Sequence, residues 1–414
     1  MKHVFDVLKE RGYIYQATHE QEIIEALNGQ HPITFYLGID PTADSLHIGH
    51  FFALMMFRYL QDAGHQGILV IGGATALIGD PSGKSDMRKM LTKEQVAHNV
   101  EEVRILASRF IRTDGDNPAL ILNNADWINP YNFVDFMRDI GIHFNVNTML
   151  QADAYANRLK EGGLTFLEMS YMLMQSYDFV HLHKTYGCTL QIGGSDQWGN
   201  IVAGTNLGRK QRFSNDEAHG PMFGLTCPLL MTREGNKMGK TESGTLWVAR
   251  EKTTVFDFYQ YFYNVDDCDT EMLLRLFTHV PLEDIIAICD KDIRKAKALM
   301  AFEITKLVHG EKEANLALQT AKELFGRKSS SKHMPKCQQD KSLIMNGVAL
   351  IDLLFTTGFV PSKSEARRLI TQGGISVNGE KIPQADHILT LNDLQDDHLI
   401  IKRGKKHHLK VMFH

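Results

Sequence analysis

Two histidines, His47 and His50, follow a proline–threonine turn, and two lysines, Lys237 and Lys240, lie in a glycine-rich loop much later in the chain. Imidazole N–H and ammonium groups can hold the oxygens of a reacting phosphorus and neutralise the charge that develops on them. A helix N-terminus adds unpaired N–H groups and partial positive charge, which also suits phosphate. Each pair has an ordinary explanation as well. Histidines near a helix start commonly cap it, and lysines in a loop commonly face solvent. Zinc is a third option for His-x-x-His, but no Cys or acidic ligand stands nearby at the usual spacing. The surrounding elements decide between these readings.

Residues 33–39 form a continuous apolar run that predicts a buried strand. Pro41, with no N–H to give a sheet, ends it. After the polar turn 42–45, residues 51–64 carry Phe52, Met55, Met56, Tyr59 and Leu60 on one helical face, with Gly64 as the stop. His47 and His50 therefore fall in the first turn of a helix that leaves a strand, pointing the same way. Residues 67–72 are a second buried strand. The glycine-rich loop after it, through Lys84, holds Asp80; the spacing from Gly79 to Lys84 does not fit a Walker loop. Residues 92–112 predict a helix with Thr92 and Gln95 as a capping box. Residues 119–122 are a third strand, with Asn123 and Asp126 at its end. A fourth strand starts at Cys188 and runs through a glycine turn into a helix capped by Ser195 or Asp196. Residues 225–231 are a fifth. The alternation predicts a Rossmann-like parallel sheet with its site at the carboxyl ends of the strands.

Residues 168–178 predict a helix on which Tyr171, Gln175 and Asp178 share one face. That stripe could be an ordinary wet face. Met169, Met172, Leu173 and Met174 flank it with apolar groups, however, and half-buried polar groups need partners. A small polar ligand would supply them. Residues 131–140 predict an amphipathic helix. The apolar run on to Leu150, with Leu164 and Phe166, reads as core rather than as a face for another chain.

The 414 residues allow two or three domains with ample core. Five cysteines without a Cys-x-x-Cys pair argue against a zinc ribbon or disulfide framework and for a reducing compartment. The first 30 residues are charged and amphipathic, unlike a signal peptide, and no apolar run approaches the ~20 residues of a membrane helix. A net charge of −4 gives no global attraction to nucleic acid, so RNA binding would need local basic patches. Past residue 250 strand character gives way to helices. Residues 327–345 are poor in apolar groups and read as a linker. A small α+β unit follows, with helices at 349–356 and 362–371 and a strand from Ile375. Its last strands flank the basic turn 402–406, and Lys363, Arg367 and Arg368 share one helix face.

His47-Ile-Gly-His50 and Lys237-Met-Gly-Lys240-Thr241, in this order, resemble the two signatures of class I aminoacyl-tRNA synthetases. Gly239 and Thr241 replace the serines of the generic second signature, in the style of the bacterial tyrosyl-tRNA synthetases. Tyr36-x-Gly-x-Asp40-Pro-Thr42, Gly-Asp80-Pro-Ser-Gly-Lys84, Tyr171-x-x-x-Gln175-x-x-Asp178 and Gln191-Ile-Gly-Gly194-Ser-Asp196-Gln197-Trp are similar to that family too, so the resemblance spans nearly the whole chain. Leu37 departs from it: the family often has Cys there, near the ATP ribose, so one ribose hydrogen bond is expected to be missing or replaced.

The resemblance implies activation of L-tyrosine by ATP, with Mg2+ accompanying the nucleotide, and transfer to tRNA(Tyr). His47, His50 and Thr42 would hold the phosphates in the transition state, and Lys84, Arg88, Lys237, Lys240 and Thr241 the leaving pyrophosphate. Asp40, Gly49, Gly194, Asp196 and Lys240 would bind ATP. Asp80, Tyr171 and Gln175 would hold the substrate amino group, Gln197 would lie by its carboxylate, and Tyr36 and Asp178 would bond the phenol. No dedicated metal cage is implied. The implied domains are a catalytic domain at 1–250, a helical anticodon-region domain at 251–327, a linker at 328–345, and an RNA-binding unit at 346–414. The last resembles a fold of a ribosomal small-subunit protein, with Lys363, Arg367, Arg368, Lys402, Arg403, Lys405 and Lys406 against RNA phosphates. A cytoplasmic homodimer joined through 131–166, with no membrane contact, completes what the resemblance implies. A tryptophanyl-type synthetase, a small nucleotidyltransferase and an idle RNA-binding relative are the competing readings; Tyr36 with Asp178, and the intact histidines and lysines, stand against them.

Overall fold

Six strands carry the site. The computed structural model describes residues 2–413 except 83–89, 213–220, 233–234, 236, 242–243, 326–335, 396 and 405–406. The strands are β1 (Gln16–Ala17), β2 (Thr34–Ile39), β3 (Gln66–Ile71), β4 (Leu120–Asn123), β5 (Cys188–Gly194) and β6 (Phe223–Cys227), in the sheet order β1-β6-β5-β2-β3-β4. β2 to β6 are mutually parallel, and β1 is an antiparallel edge on β6. The chain moves from β2 outward through β3 to β4, then returns to lay β5 on the other side of β2. The order reverses there, and the carboxyl ends of β2 and β5 splay to leave a crevice, the usual ligand site of such sheets.

Each strand ends where its sequence makes it end. β2 stops two residues before Pro41, and β6 stops at Cys227 because Pro228 follows. The expected strand 225–231 is therefore shorter at its far end and starts two residues earlier. The helix Ile48–Asp62 has buried Phe51, Phe52, Leu54, Met55, Met56, Phe57 and Leu60. Phe51 stacks on Phe277 at 5.4 Å and Phe52 on Tyr13 at 5.0 Å. Burying each such ring contributes about 1.5–3 kcal/mol, enough to hold the helix head firmly over the crevice. The capping box Thr92–Gln95 opens the helix Lys93–Ala107 as expected.

The helix with the polar stripe runs over Phe166–Tyr186, well beyond the expected 168–178. Thr165 and Glu168 form its capping box, and Glu168 is also paired with Arg158 at 2.8 Å, both side chains buried. Ser195 and Asp196 do not cap a helix. They lie in a 3-10 turn, Ser195–Gln197, that precedes the helix Trp198–Arg212. The segment expected as core divides. Ile140, Met149 and Tyr155 are buried, whereas Phe133, Val134, Ile142, Val146 and Phe166 are 50–75% exposed.

Contacts divide the chain into two units, 1–254 with 262–309, and 255–261 with 310–414, so residues 262–309 belong to the unit that holds the six-stranded sheet. Within the second unit a five-stranded sheet packs against helices Leu350–Thr356 and Lys363–Thr371 around a core that includes Leu353, Ile370, Ile401 and Val411. The expected linker 328–345 is linker over less than its length. Lys336–Gln339 is a strand parallel to His407–Phe413, and Ile344, in the helix Lys341–Met345, is buried in this core.

Candidate active site

A cavity of about 390 Å3 opens at the carboxyl ends of β2 and β5. His47 is the N-cap of the helix Ile48–Asp62. Its Nδ1 accepts from the backbone N–H of Gly49 (3.1 Å) and His50 (3.3 Å), while His50 Nδ1 accepts from the N–H of His47 (3.4 Å). The two rings stack at 3.7 Å. The histidines cap the helix, as the ordinary reading has it, and both also line the cavity. With Nδ1 accepting, each neutral ring carries its proton on Nε2, an N–H donor of the kind a phosphate oxygen can accept from.

The other wall is a polar network. Tyr171 donates from its hydroxyl to Asp40 Oδ2 (2.9 Å), and Thr75 donates to Asp40 Oδ1 (2.7 Å). Asn124 donates through Nδ2 to both Thr75 Oγ1 (3.0 Å) and Asp178 Oδ2 (3.0 Å), and Trp127 Nε1 donates to Asp178 Oδ1 (2.7 Å). Burial lifts the Asp178 carboxyl to about 7; the Asn124 and Trp127 N–H bonds oppose the rise and the Asp40 charge adds to it. Gly72 must be glycine here, because a Cβ would stand 2.0 Å from Asp40 Oδ1. Asp80 accepts from Ser82 N–H (2.9 Å) and from Gln197 Nε2 (2.6 Å). Three buried atoms of cavity residues have no partner among the described residues: the Tyr36 hydroxyl, Gln175 Oε1 and Gln191 Oε1. Burying such a group unpaired costs about 1–3 kcal/mol, and a ligand that pairs it recovers that cost.

Lys237 reaches in from the far side, its ammonium 3.9 Å from Asp196. Its loop is tied to the histidine turn by backbone bonds: Leu246 N–H to Gly239 O (2.7 Å) and Val248 N–H to Leu46 O (2.8 Å). Gly239 has φ +86°, and a Cβ on it would lie 2.4 Å from Ile48 Cγ2. Any side chain at 239, serine included, would collide with the residue between the two histidines. That is a physical reason for the departure from the generic second signature.

The cavity brings together Tyr36, Asp40, Thr42, His47, Gly49, His50, Asp80, Tyr171, Gln175, Asp178, Gly194, Asp196, Gln197 and Lys237. Lys84 and Arg88 lie outside the described residues, as do Lys405, Lys406 and the side chains of Lys240 and Thr241. Leu37 lines the cavity without a polar group to offer. Trp127 is a site residue to which the sequence pointed in no way, while Gln191, Asn124 and Thr75 stood only within motifs or loops and were given no role. Gln191 pairs in register with Tyr36 across β2 and β5, so its place on a central strand was the available signal. In the second unit, Lys363 pairs with Asp352 (2.8 Å) and Arg368 with Glu365 (2.7 Å), both at the surface. Arg403 donates to the Phe359 carbonyl (2.9 Å) and lies over its ring. Arg367 is exposed on the helix and Lys402 half-buried on the strand His398–Arg403. Exposed pairs of this sort are worth at most about 1 kcal/mol and leave their cations usable by a polyanion.

Comparison with known proteins agrees over the whole chain. The family described as tRNA synthetases class I (W and Y) matches residues 27–326, and a tyrosine–tRNA ligase SYY-like C-terminal domain matches residues 328–411. A tyrosine–tRNA ligase of Clostridium kluyveri is 48% identical over 415 residues, covering 100% of both chains, and one of Acetivibrio thermocellus is 48% identical over 99% of each. Among solved structures, a C-terminally truncated mitochondrial tyrosyl-tRNA synthetase of Aspergillus nidulans superposes with a TM-score of 0.70 at 28% identity, covering 78% of this chain and 95% of that one.

Proposed function

We infer that this chain, which belongs to the class I tRNA synthetases of the tryptophan and tyrosine group, is a tyrosine–tRNA ligase that uses ATP. One observation carries the choice of amino acid. A Tyr36 hydroxyl with no partner among the described residues and a carboxylate, Asp178, line the same cavity, and a phenol can accept from the Tyr36 O–H and donate to Asp178. Tryptophan has no hydroxyl for this pair, and phenylalanine would leave the Tyr36 hydroxyl buried and unpaired and give the Asp178 carboxylate no further donor.

The reaction needs no covalent nucleophile from the protein. A carboxylate oxygen of tyrosine attacks the α-phosphorus of ATP and pyrophosphate leaves; a ribose hydroxyl at the 3′ end of tRNA(Tyr) then attacks the adenylate carbonyl and AMP leaves. What the chain supplies is position and charge. His47 and His50 donate Nε2–H to the phosphate as negative charge builds, with Thr42 beside them at the cavity rim. Lys237 and Lys240, with Thr241, Lys84 and Arg88, gather the pyrophosphate. Asp196, Asp40 and the glycines Gly49 and Gly194 receive the nucleoside. The substrate ammonium displaces bonds now made within the network, taking Asp80, Tyr171 and Gln175, while Gln197 turns to the carboxylate. No cluster of three acidic, His or Cys groups among the described residues could hold a metal by itself. Mg2+ would therefore come with the oxygens of ATP, where it neutralises charge, its remaining ligands largely water.

The exposed Phe133, Val134, Ile142, Val146 and Phe166 support a homodimer joined through this face. A monomer in sedimentation at micromolar concentration would count against it. Lys363, Arg367, Arg368, Lys402 and Arg403 support RNA-phosphate contact by the C-terminal unit. No helix among the described residues is long and apolar enough to cross a membrane. All five cysteines are free thiols, which suits work in the reducing cytoplasm. Tyrosine-dependent ATP–pyrophosphate exchange tests the central reading. Exchange is expected with tyrosine and not with tryptophan; exchange with another amino acid alone overturns it.

A further inference from the structure

Asp178 depends on an indole that its own short element cannot hold. Trp127 sits on Ala125–Ile128, a single helical turn after β4, too short to be rigid alone. It packs against the cluster of Phe179, Leu182 and Cys188. It is also covered by His181, whose ring lies 4.6 Å from the indole at an interplanar angle of 14°. His181 is three residues beyond Asp178 on the helix Phe166–Tyr186, so one helix carries both the carboxylate and the ring that fixes its donor.

We propose that His181 is a positioning residue for amino-acid selection: stacked on Trp127, it holds the indole N–H on Asp178 so that the carboxylate stays placed for the substrate phenol. This rests on the tyrosine–tRNA ligase reading. His181 lies outside the cavity lining. Burial depresses its proton affinity, so the stacking partner is the neutral imidazole. Of the groups that face Asp178, Asn124 and Trp127 donate to it, the Asp40 charge favours its protonated form, and Asp178 in turn holds the Tyr36 phenol from ionising. Freeing the indole removes one of the two donors. The carboxyl then becomes more readily protonated and less fixed in place, and the phenol loses affinity while the phosphate chemistry at His47 and His50 is untouched.

The test is ATP–pyrophosphate exchange with tyrosine and with phenylalanine from pH 6 to 9, for the wild type, His181→Ala, His181→Leu and His181→Phe, with tryptophan emission recorded in parallel. Leucine refills the space without an aromatic face, and guards against a variant that fails to fold. Losing an aromatic stack should raise the KM for tyrosine about three- to tenfold in the alanine and leucine variants. Their kcat should stay close to wild type, their preference for tyrosine over phenylalanine should fall, and the pH below which tyrosine binding weakens should move up. His181→Phe should restore all of these, together with the wild-type emission. A leucine variant that matches the wild type, or a phenylalanine variant as impaired as alanine, overturns the proposal. No tyrosine-dependent exchange by the wild type instead overturns the ligase reading, while the emission of Trp127 still reports whether the stack exists.

Discussion

Replacing Asp178 with asparagine should make the ligand-free protein more stable while removing its selectivity. The carboxyl is buried, and burial raises it from the ordinary 3.8 to about 7. A folded-state value above the unfolded one means that the folded chain keeps a proton the unfolded chain has lost. Stability due to this group therefore falls as pH rises from about 4 to about 7, and the cost is complete above that. About three pH units at 1.36 kcal/mol each amount to about 4 kcal/mol. Urea or thermal unfolding of the wild type and Asp178→Asn should coincide near pH 4 and diverge by up to about 4 kcal/mol at pH 8, the variant being the more stable. Tyrosine should act in the opposite sense. Its phenol donates to the ionised carboxylate, so added tyrosine should stabilise the wild type more at pH 8 than at pH 6. The variant should show no such dependence. Parallel pH profiles for the two proteins, with and without tyrosine, would refute the reasoning.

Tyr36→Phe removes a buried hydroxyl that has no protein partner among the described residues; stability should hold or rise, while discrimination against phenylalanine should fall by about 1–3 kcal/mol in exchange assays. Unchanged discrimination would remove the phenol role of Tyr36. Gly239→Ser introduces a side chain at positive φ against Ile48, at a cost of at least about 1 kcal/mol, and should slow pyrophosphate exchange without altering tyrosine affinity measured by fluorescence. An exchange rate equal to wild type would show that the 239–48 contact does not set the loop. Removing residues 336–414 should spare exchange and impair tRNA charging. The cut belongs at 336 rather than 346 because Lys336–Gln339 is a strand of the C-terminal sheet, and equal retention of both activities would mean that this unit does not hold the tRNA.

The parts of the site that the sequence announces are those with strong local signals. The run ended by Pro41 and the capping box at Thr92 are local patterns, and the helical spacing of Tyr171, Gln175 and Asp178 survives in three dimensions because a helix keeps its periodicity. What escapes is non-local. The long helix Phe166–Tyr186 is buried on several sides, so its apolar residues show no single stripe and its far end cannot be read. The two-residue β1 exists only because β6 is beside it. Asn124 and Thr75 look like ordinary polar loop residues until β3 and β4 stand side by side. Phe133 and Ile142 look like core because hydrophobicity alone does not say which side of a helix faces solvent.

The buried Arg158–Glu168 pair has a bearing on redesign. It fastens the head of the helix Phe166–Tyr186 outside the cavity, together with the Thr165 hydroxyl and N–H that also bond Glu168. Direction and recognition are thus written in different residues of one helix: the anchor sets where Tyr171, Gln175 and Asp178 point, and those three set what they meet. Side chains along the stripe can be exchanged to accept altered aromatic amino acids with the backbone still aimed. Breaking the anchor leaves a charge stranded in the interior, which typically costs about 3–5 kcal/mol, and turns every residue of the stripe away at once.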